Sequence, residues 1–152
     1  MKFSLALFAS LVAVVTAASN TATCGNTVYK SDALDKAADA SCSMVKKGTS
    51  VGTNRYPHQY KNLEKFKLSG LTGPFYEFPI LSNGQVYSGG SPGADRIITT
   101  QDCKQAGVLT HQGASGNAFR ECSVKTSAAA PVVDAQLAFM SCFTMTIFAL
   151  AL

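Results

Sequence analysis

Histidine is almost missing from this chain: 152 residues hold only His58 and His111, and there is no tryptophan. No CxxC pair occurs, and neither histidine lies near a pair of cysteines, which argues against a zinc site. Internal repeats are absent too, and with them the solenoid and propeller architectures. No apolar run reaches the ~20 residues that span a bilayer. Charge is sparse: 14% of residues, with 13 Lys/Arg against 9 Asp/Glu. That mild basic excess permits a polyanionic partner without requiring one.

The two ends read differently from the middle. Lys2, the apolar run Phe3 to Val15 and the small residues Thr16, Ala17 and Ala18 have the three-part layout of a secretory signal peptide. Residues 1–18 are therefore expected to be removed, with cleavage after Ala17 or Ala18, and the mature protein to be secreted. Residues 125–152 form a tail whose last stretch, Leu137 to Leu152, is uncharged and mostly apolar. Ser127, Ala128 and Ala129, a short spacer and that apolar segment resemble the signal for a glycosylphosphatidylinositol anchor. A run-on C-terminus is the other reading of the tail, and membrane attachment is expected only if it is an anchor signal. Between the ends lies one domain, 19–124.

Four cysteines fall in that domain: Cys24, Cys42, Cys103 and Cys122. Behind a signal peptide an even number reads as two disulfides, with three connectivities open. SDALDKAADASCSMVKKG is the one convincing helix. Ser31 can cap it, Asp32 and Asp35 suit the positive N-terminal end, Lys46 and Lys47 suit the other end, and Gly48 supplies the stop. Leu34, Ala37, Ala38, Cys42 and Val45 recur at helical spacing and define its buried face. From Tyr56 onward, YPHQY, FYEFPIL, GQVYSG, DRIIT and GVLTH are short β-type runs separated by turn residues. One helix followed by several short strands predicts an α+β domain, the helix packed on a small twisted antiparallel sheet.

Some polar residues do not suit a core. Glu77 sits between Tyr76 and Phe78, and Arg96 enters an apolar run. With Tyr56, His58 and His111, each falls in a different predicted strand or at its end. Exposure on an open sheet face is the bland explanation for any one of them. Gathered on one face, a carboxylate, two imidazoles and a guanidinium could move protons around an anion. The carboxylate takes a proton, the imidazolium gives one, and arginine holds phosphate through paired hydrogen bonds.

YPHQY, GPFYEFPIL, VYSGGSPGADR and THQGASGNAF, in this order, resemble the small extracellular guanyl-specific ribonucleases of fungi. The resemblance spans about Cys24 to Cys122. It implies the disulfides Cys24–Cys122 and Cys42–Cys103. It also implies RNA cleavage by transesterification to a 2′,3′-cyclic phosphate, without cofactor or metal. Single-stranded RNA is the implied partner, since DNA has no 2′-hydroxyl to attack, and the protein is expected to be a monomer. By the same resemblance Glu77 is the general base, His111 the general acid and His58 the support of the base. Arg96 and Tyr56 hold phosphate oxygens, and Phe119 is the apolar wall beside them.

The implied guanine site is Tyr60, Lys61, Asn62, Leu63 and Glu64, together with Asn117. Glu64 would accept from the two guanine donors that adenine lacks, and Tyr60 would stack. Two positions depart from the family pattern: Lys61 stands where asparagine is usual, and Leu63 where a second aromatic would cover the base. Leucine can cover a ring but not stack on it, so guanine preference with weaker base binding is expected. A secreted RNA-binding or effector protein on the same scaffold, without cleavage, is the alternative reading.

Overall fold

The computed structural model describes residues 19–127, and both the signal-peptide segment and the far tail lie outside the described residues. Among the described residues one α-helix, α1, spans Ser31–Lys47. Lys30, in extended backbone, occupies its N-cap and makes no side-chain cap, so Ser31 is the first helical residue rather than the cap. Asp32 still lies in the positively poled first turn and Lys46 and Lys47 in the last. Gly48 ends the helix at φ 64°, a left-handed conformation that glycine adopts without penalty. The buried face consists of Leu34, Ala37, Ala38 and Ser41. Cys42 and Val45, expected there, are only half-buried. The apolar spacing passed over Ser41 because it is polar, yet its hydroxyl is satisfied 3.1 Å from Thr99 Oγ1 on the sheet.

Five strands form the main antiparallel sheet in the order β3-β4-β5-β6-β7. They are β3 (His58–Tyr60), β4 (Phe75–Pro79), β5 (Asp95–Thr100), β6 (Gln105–Thr110) and β7 (Arg120–Glu121). Alternation along β4 and β5 sends Phe78 and Ile97 into the core shared with Leu34, Ala37 and Ala38 of α1. Their neighbours face the other way, where Tyr60, Leu68, Ile98 and Leu109 make a second, smaller cluster backed by Phe119. GQVYSG, expected as a strand, contributes one bridge, Ile80 to Val86. Left-handed Gly84, Gly89 and Gly90 bracket it, leaving no room for a ladder.

A second sheet was not anticipated: β1 (Ser19–Cys24), β2 (Thr27–Tyr29) and β8 (Ser123–Ser127) pair in the order β2-β1-β8. Its strands are short and largely polar, and β8 is exposed throughout, so no hydrophobic alternation announces it. The pairing Ser19 to Ser127 carries this sheet past Val124. The disulfides are Cys24–Cys122 and Cys42–Cys103, with Cα atoms 4.7 and 5.2 Å apart. Cys24 and Cys122 are 98 residues apart, and closing such a loop contributes up to about 4.7 kcal/mol in the chain-entropy description. That is a large share for a domain this small.

Candidate active site

Register places the charged residues together. His58 pairs with Glu77, and Glu77 with Ile98, so these three side chains form one row across β3, β4 and β5. Arg96, two residues before Ile98, shares its face. Glu77 is 7% exposed, so the solvent-facing explanation of this carboxylate does not hold. His58 Nδ1 lies 3.1 Å from Glu77 Oε1, while Oε2 is buried with no partner among the described residues. A buried carboxylate oxygen without a protein partner carries a desolvation cost, as catalytic groups often do. Burial pushes the Glu77 carboxyl above its ordinary pKa. The positive fields of His58, Arg96 and His111 pull it back only in part, and Glu64 adds to the rise.

Arg96 is 4% exposed and clamped. Its Nη1 donates to the carbonyls of Gly93 and Asp95, both at 2.9 Å, and its Nη2 donates to the Tyr56 hydroxyl at 2.9 Å. Nε has no partner among the described residues. A guanidinium carries five donors, so Nε–H and one Nη2 hydrogen remain to hold an anion. The Tyr56 ring stacks on His58, centroids 4.6 Å apart, and meets Tyr87 edge-on. One tyrosine thus fixes both the guanidinium and the imidazole.

His111 follows β6 directly, its N–H bonded to the Ala94 carbonyl. Its Nδ1 lies 2.8 Å from the Ala118 carbonyl, an acceptor only, so Nδ1 carries a hydrogen and Nε2 is left for chemistry. Phe119 stacks on this ring at 3.9 Å. The loop between them turns through Gly113 and Gly116 in left-handed backbone; a Cβ on Gly113 would meet the Arg120 guanidinium. Asp95 is a positioning residue that sequence reasoning missed. Buried and immediately before Arg96, it accepts from Tyr29 at 2.6 Å, from Thr110 and from Gln112. Thr110 and Gln112 flank His111, so this carboxylate anchors the backbone on both sides of the imidazole. The only signal in the sequence was an acidic residue beside the anomalous arginine.

The residues of the implied base site are brought together in part. Glu64 accepts from the Tyr60 hydroxyl at 2.8 Å through Oε2 and from the Phe119 N–H at 3.1 Å through Oε1. Burial raises the pKa of Glu64, but its own backbone N–H, Tyr60, Phe119 and the charge of His111 outweigh this, and the carboxyl ends below its ordinary value. Tyr60 is buried, edge-on to Phe119 at 5.7 Å, so it forms the floor of the site rather than an open platform. Burial first, then the bond to Glu64, raises its hydroxyl pKa. The Asn62 side chain bonds both backbone groups of Phe66, at 2.8 and 2.9 Å, and locks the loop at φ 50°. Leu63 is 80% exposed, Lys61 is exposed, and Asn117 stands exposed in the loop that ends at Phe119.

Comparison with known proteins agrees with this geometry. Residues 17–123 match the ribonuclease family. Guanyl-specific ribonuclease Th1 of Trichoderma harzianum is 52% identical over 103 residues, covering 68% of this chain and 97% of that protein. Guanyl-specific ribonuclease T1 of Aspergillus oryzae is 50% identical over 101 residues, 66% of this chain and 77% of that protein. Among solved structures, a ribonuclease from Hericium erinaceus superposes with a TM-score of 0.51 at 36% identity, covering 68% of this chain and 98% of that one. With a matching fold and about half of its aligned residues identical to those of such enzymes, this chain belongs to the fungal guanyl-specific ribonuclease family.

Proposed function

We propose that this protein is an extracellular endoribonuclease that cuts single-stranded RNA on the 3′ side of guanosine. The observation that carries the reading is Glu77: a buried carboxylate with a raised pKa and one unpartnered oxygen, on the same sheet face as His58 and Arg96. Glu77 takes the proton of the ribose 2′-hydroxyl, and the freed oxygen attacks the adjoining phosphorus. The bond to the 5′-oxygen of the next nucleotide breaks, and His111 Nε2 delivers a proton to that oxygen. The product is a 2′,3′-cyclic phosphate. In the second step His111 takes a proton from water, hydroxide attacks phosphorus, Glu77 returns a proton to the 2′-oxygen, and a 3′-phosphate remains. Arg96, fixed by Tyr56, meets the charge that develops on the phosphate with its uncommitted donors. Phe119 excludes water from one side of the imidazole, which strengthens those charges.

Support for action outside the cell comes from the leader-like residues 1–18 and from a relative named as extracellular, ribonuclease Fl1 of Gibberella baccata, 48% identical over 104 residues. The enzyme acts as a monomer and leaves DNA intact. The tail beyond the described residues keeps its two readings. Activity released from fungal cells by an anchor-cutting phospholipase selects the anchor, and free activity that retains residues beyond Gln136 selects the run-on.

The deciding experiment is digestion of four homopolymers and a mixed RNA by the disulfide-bonded protein, in chelator. Expected are cyclic-phosphate ends after guanosine and little cleavage elsewhere. Binding of RNA with no cleavage overturns the reading.

A pH profile tests the part given to His58. Its positive field is the leading influence that lowers the Glu77 pKa. Replacing it, in His58→Gln, is expected to raise that pKa further and move the acid limb of the kcat/KM profile to higher pH. A lower rate with an unmoved acid limb means that His58 has some other role.

A further inference from the structure

A groove of about 690 Å³ adjoins the base site and shares Tyr60, Lys61 and Asn62 with it. Two cations, Lys61 and Lys65, line it together with the apolar Phe66, Pro74 and Phe75 and with Gln59. Both lysines are exposed, and neither is in an ion pair among the described residues. Glu64, between them in sequence, turns away to Tyr60 and Phe119, so it does not neutralise the groove. Lys65 also holds φ 61°, a left-handed conformation that side chains adopt at a cost and glycine does not. A cation kept at a strained position, over an apolar wall and next to a nucleobase site, suits one ligand chemistry: a phosphodiester carrying a base.

We propose that this groove is a subsite for the nucleotide on the 5′ side of the scissile guanosine, its phosphate held by Lys61 and Lys65 and its base lying on Phe75 and Pro74. The inference rests on the ribonuclease reading. The direction follows from the positions of the elements. The leaving nucleotide, on the 3′ side, must lie at His111, and no residue of the loop 111–119 lines the groove. The strand entering from the 5′ side therefore runs over it. Lysine ammoniums bind phosphate whatever the base, so the subsite adds affinity and salt sensitivity rather than sequence choice.

The test compares steady-state cleavage of GpU, UpGpU and GpUpU by the whole protein and by Lys65→Gly and Lys65→Asn. Both replacements tolerate left-handed backbone, so the variants are expected to melt no lower than the wild type and to cleave GpU at the same rate. For the wild type, the 5′ extension in UpGpU is expected to raise kcat/KM about tenfold over GpU, mainly through KM. Lys65→Gly is expected to lose most of that gain. It should also flatten the dependence of log(kcat/KM) on log salt by about 0.7, the share of one phosphate contact to a single strand. A gain from GpUpU alone, no gain from UpGpU, or a gain that survives Lys65→Gly overturns the subsite while leaving GpU cleavage intact. Failure to cleave GpU at all overturns the ribonuclease reading and this inference with it.

Discussion

Glu77→Gln and His111→Ala are each expected to lower kcat for cleavage after guanosine by about 10²–10⁴-fold, the range for loss of one general base or acid. Binding of a guanine mononucleotide should change much less. The two variants differ in what else they do. Glu77 pairs through one oxygen only and sits in a site whose burial raises its pKa. A raised folded-state pKa means that the contribution of this group to stability is present below the ordinary carboxylate range and is lost as pH rises through the folded value. The neutral amide of Glu77→Gln escapes that loss. This variant should therefore melt at or above the wild-type temperature at neutral pH, with the advantage vanishing below the ordinary carboxylate range. Calorimetry across pH, run beside the kinetics, checks both. A kcat near normal removes Glu77 from the chemistry, and a large fall in melting temperature at neutral pH would make the lost activity a folding defect. His111→Ala has no such compensation, because it also removes the ring stacked on Phe119.

Glu64→Ala is expected to erase most of the preference for guanosine over adenosine. Guanine N1–H and its exocyclic amine are two donors that adenine cannot match, and a hydrogen bond to a charged acceptor contributes about 1.5–3 kcal/mol. The pair therefore supports about 10²–10⁴-fold discrimination, at ~1.4 kcal/mol per tenfold. Tyr60 and the Phe119 N–H already bond this carboxylate in the free protein. That does not exhaust it, since a carboxylate offers about four lone-pair sites. The bonds it makes here keep it ionised and fix its direction before RNA arrives. The measurement is the ratio of kcat/KM for GpU and ApU in the wild type and the variant. An unchanged ratio would place guanine recognition elsewhere, on the backbone of 62–63 or on Asn117.

The helix was legible because its signals are local: opposite charges at its two ends, a glycine stop and an apolar stripe. The strands from His58 to Thr110 were legible in the same way, by short β-type runs between turns, although GQVYSG read as one more strand and makes only a single bridge. The β1-β2-β8 sheet was not, since its core-facing residues are only the small Ala22 and Cys24 and the single Tyr29 among Ser, Thr and Asn, and it exists because the domain's first and last strands pair and Cys24 joins Cys122. Ser41 was passed over because sequence pattern cannot foresee the Thr99 hydroxyl that satisfies it.

For the site, residue types carried the chemistry and register carried the geometry. The chain alone determined that a carboxylate, two imidazoles and a guanidinium stand in or at the ends of successive β-type runs, and that long motifs resemble one ribonuclease family. Only the tertiary structure decided that Glu77 is buried rather than exposed, that His58 lies opposite it, and that Arg96 is clamped by Tyr56. Burial and hydrogen-bond partners are properties of strands brought together from distant parts of the chain, and a pKa shift is the sum of those surroundings. Asp95 shows the same division. Its place beside Arg96 was the one hint in the sequence, and its role comes from Tyr29, Thr110 and Gln112 converging on it across the fold to hold the backbone of His111.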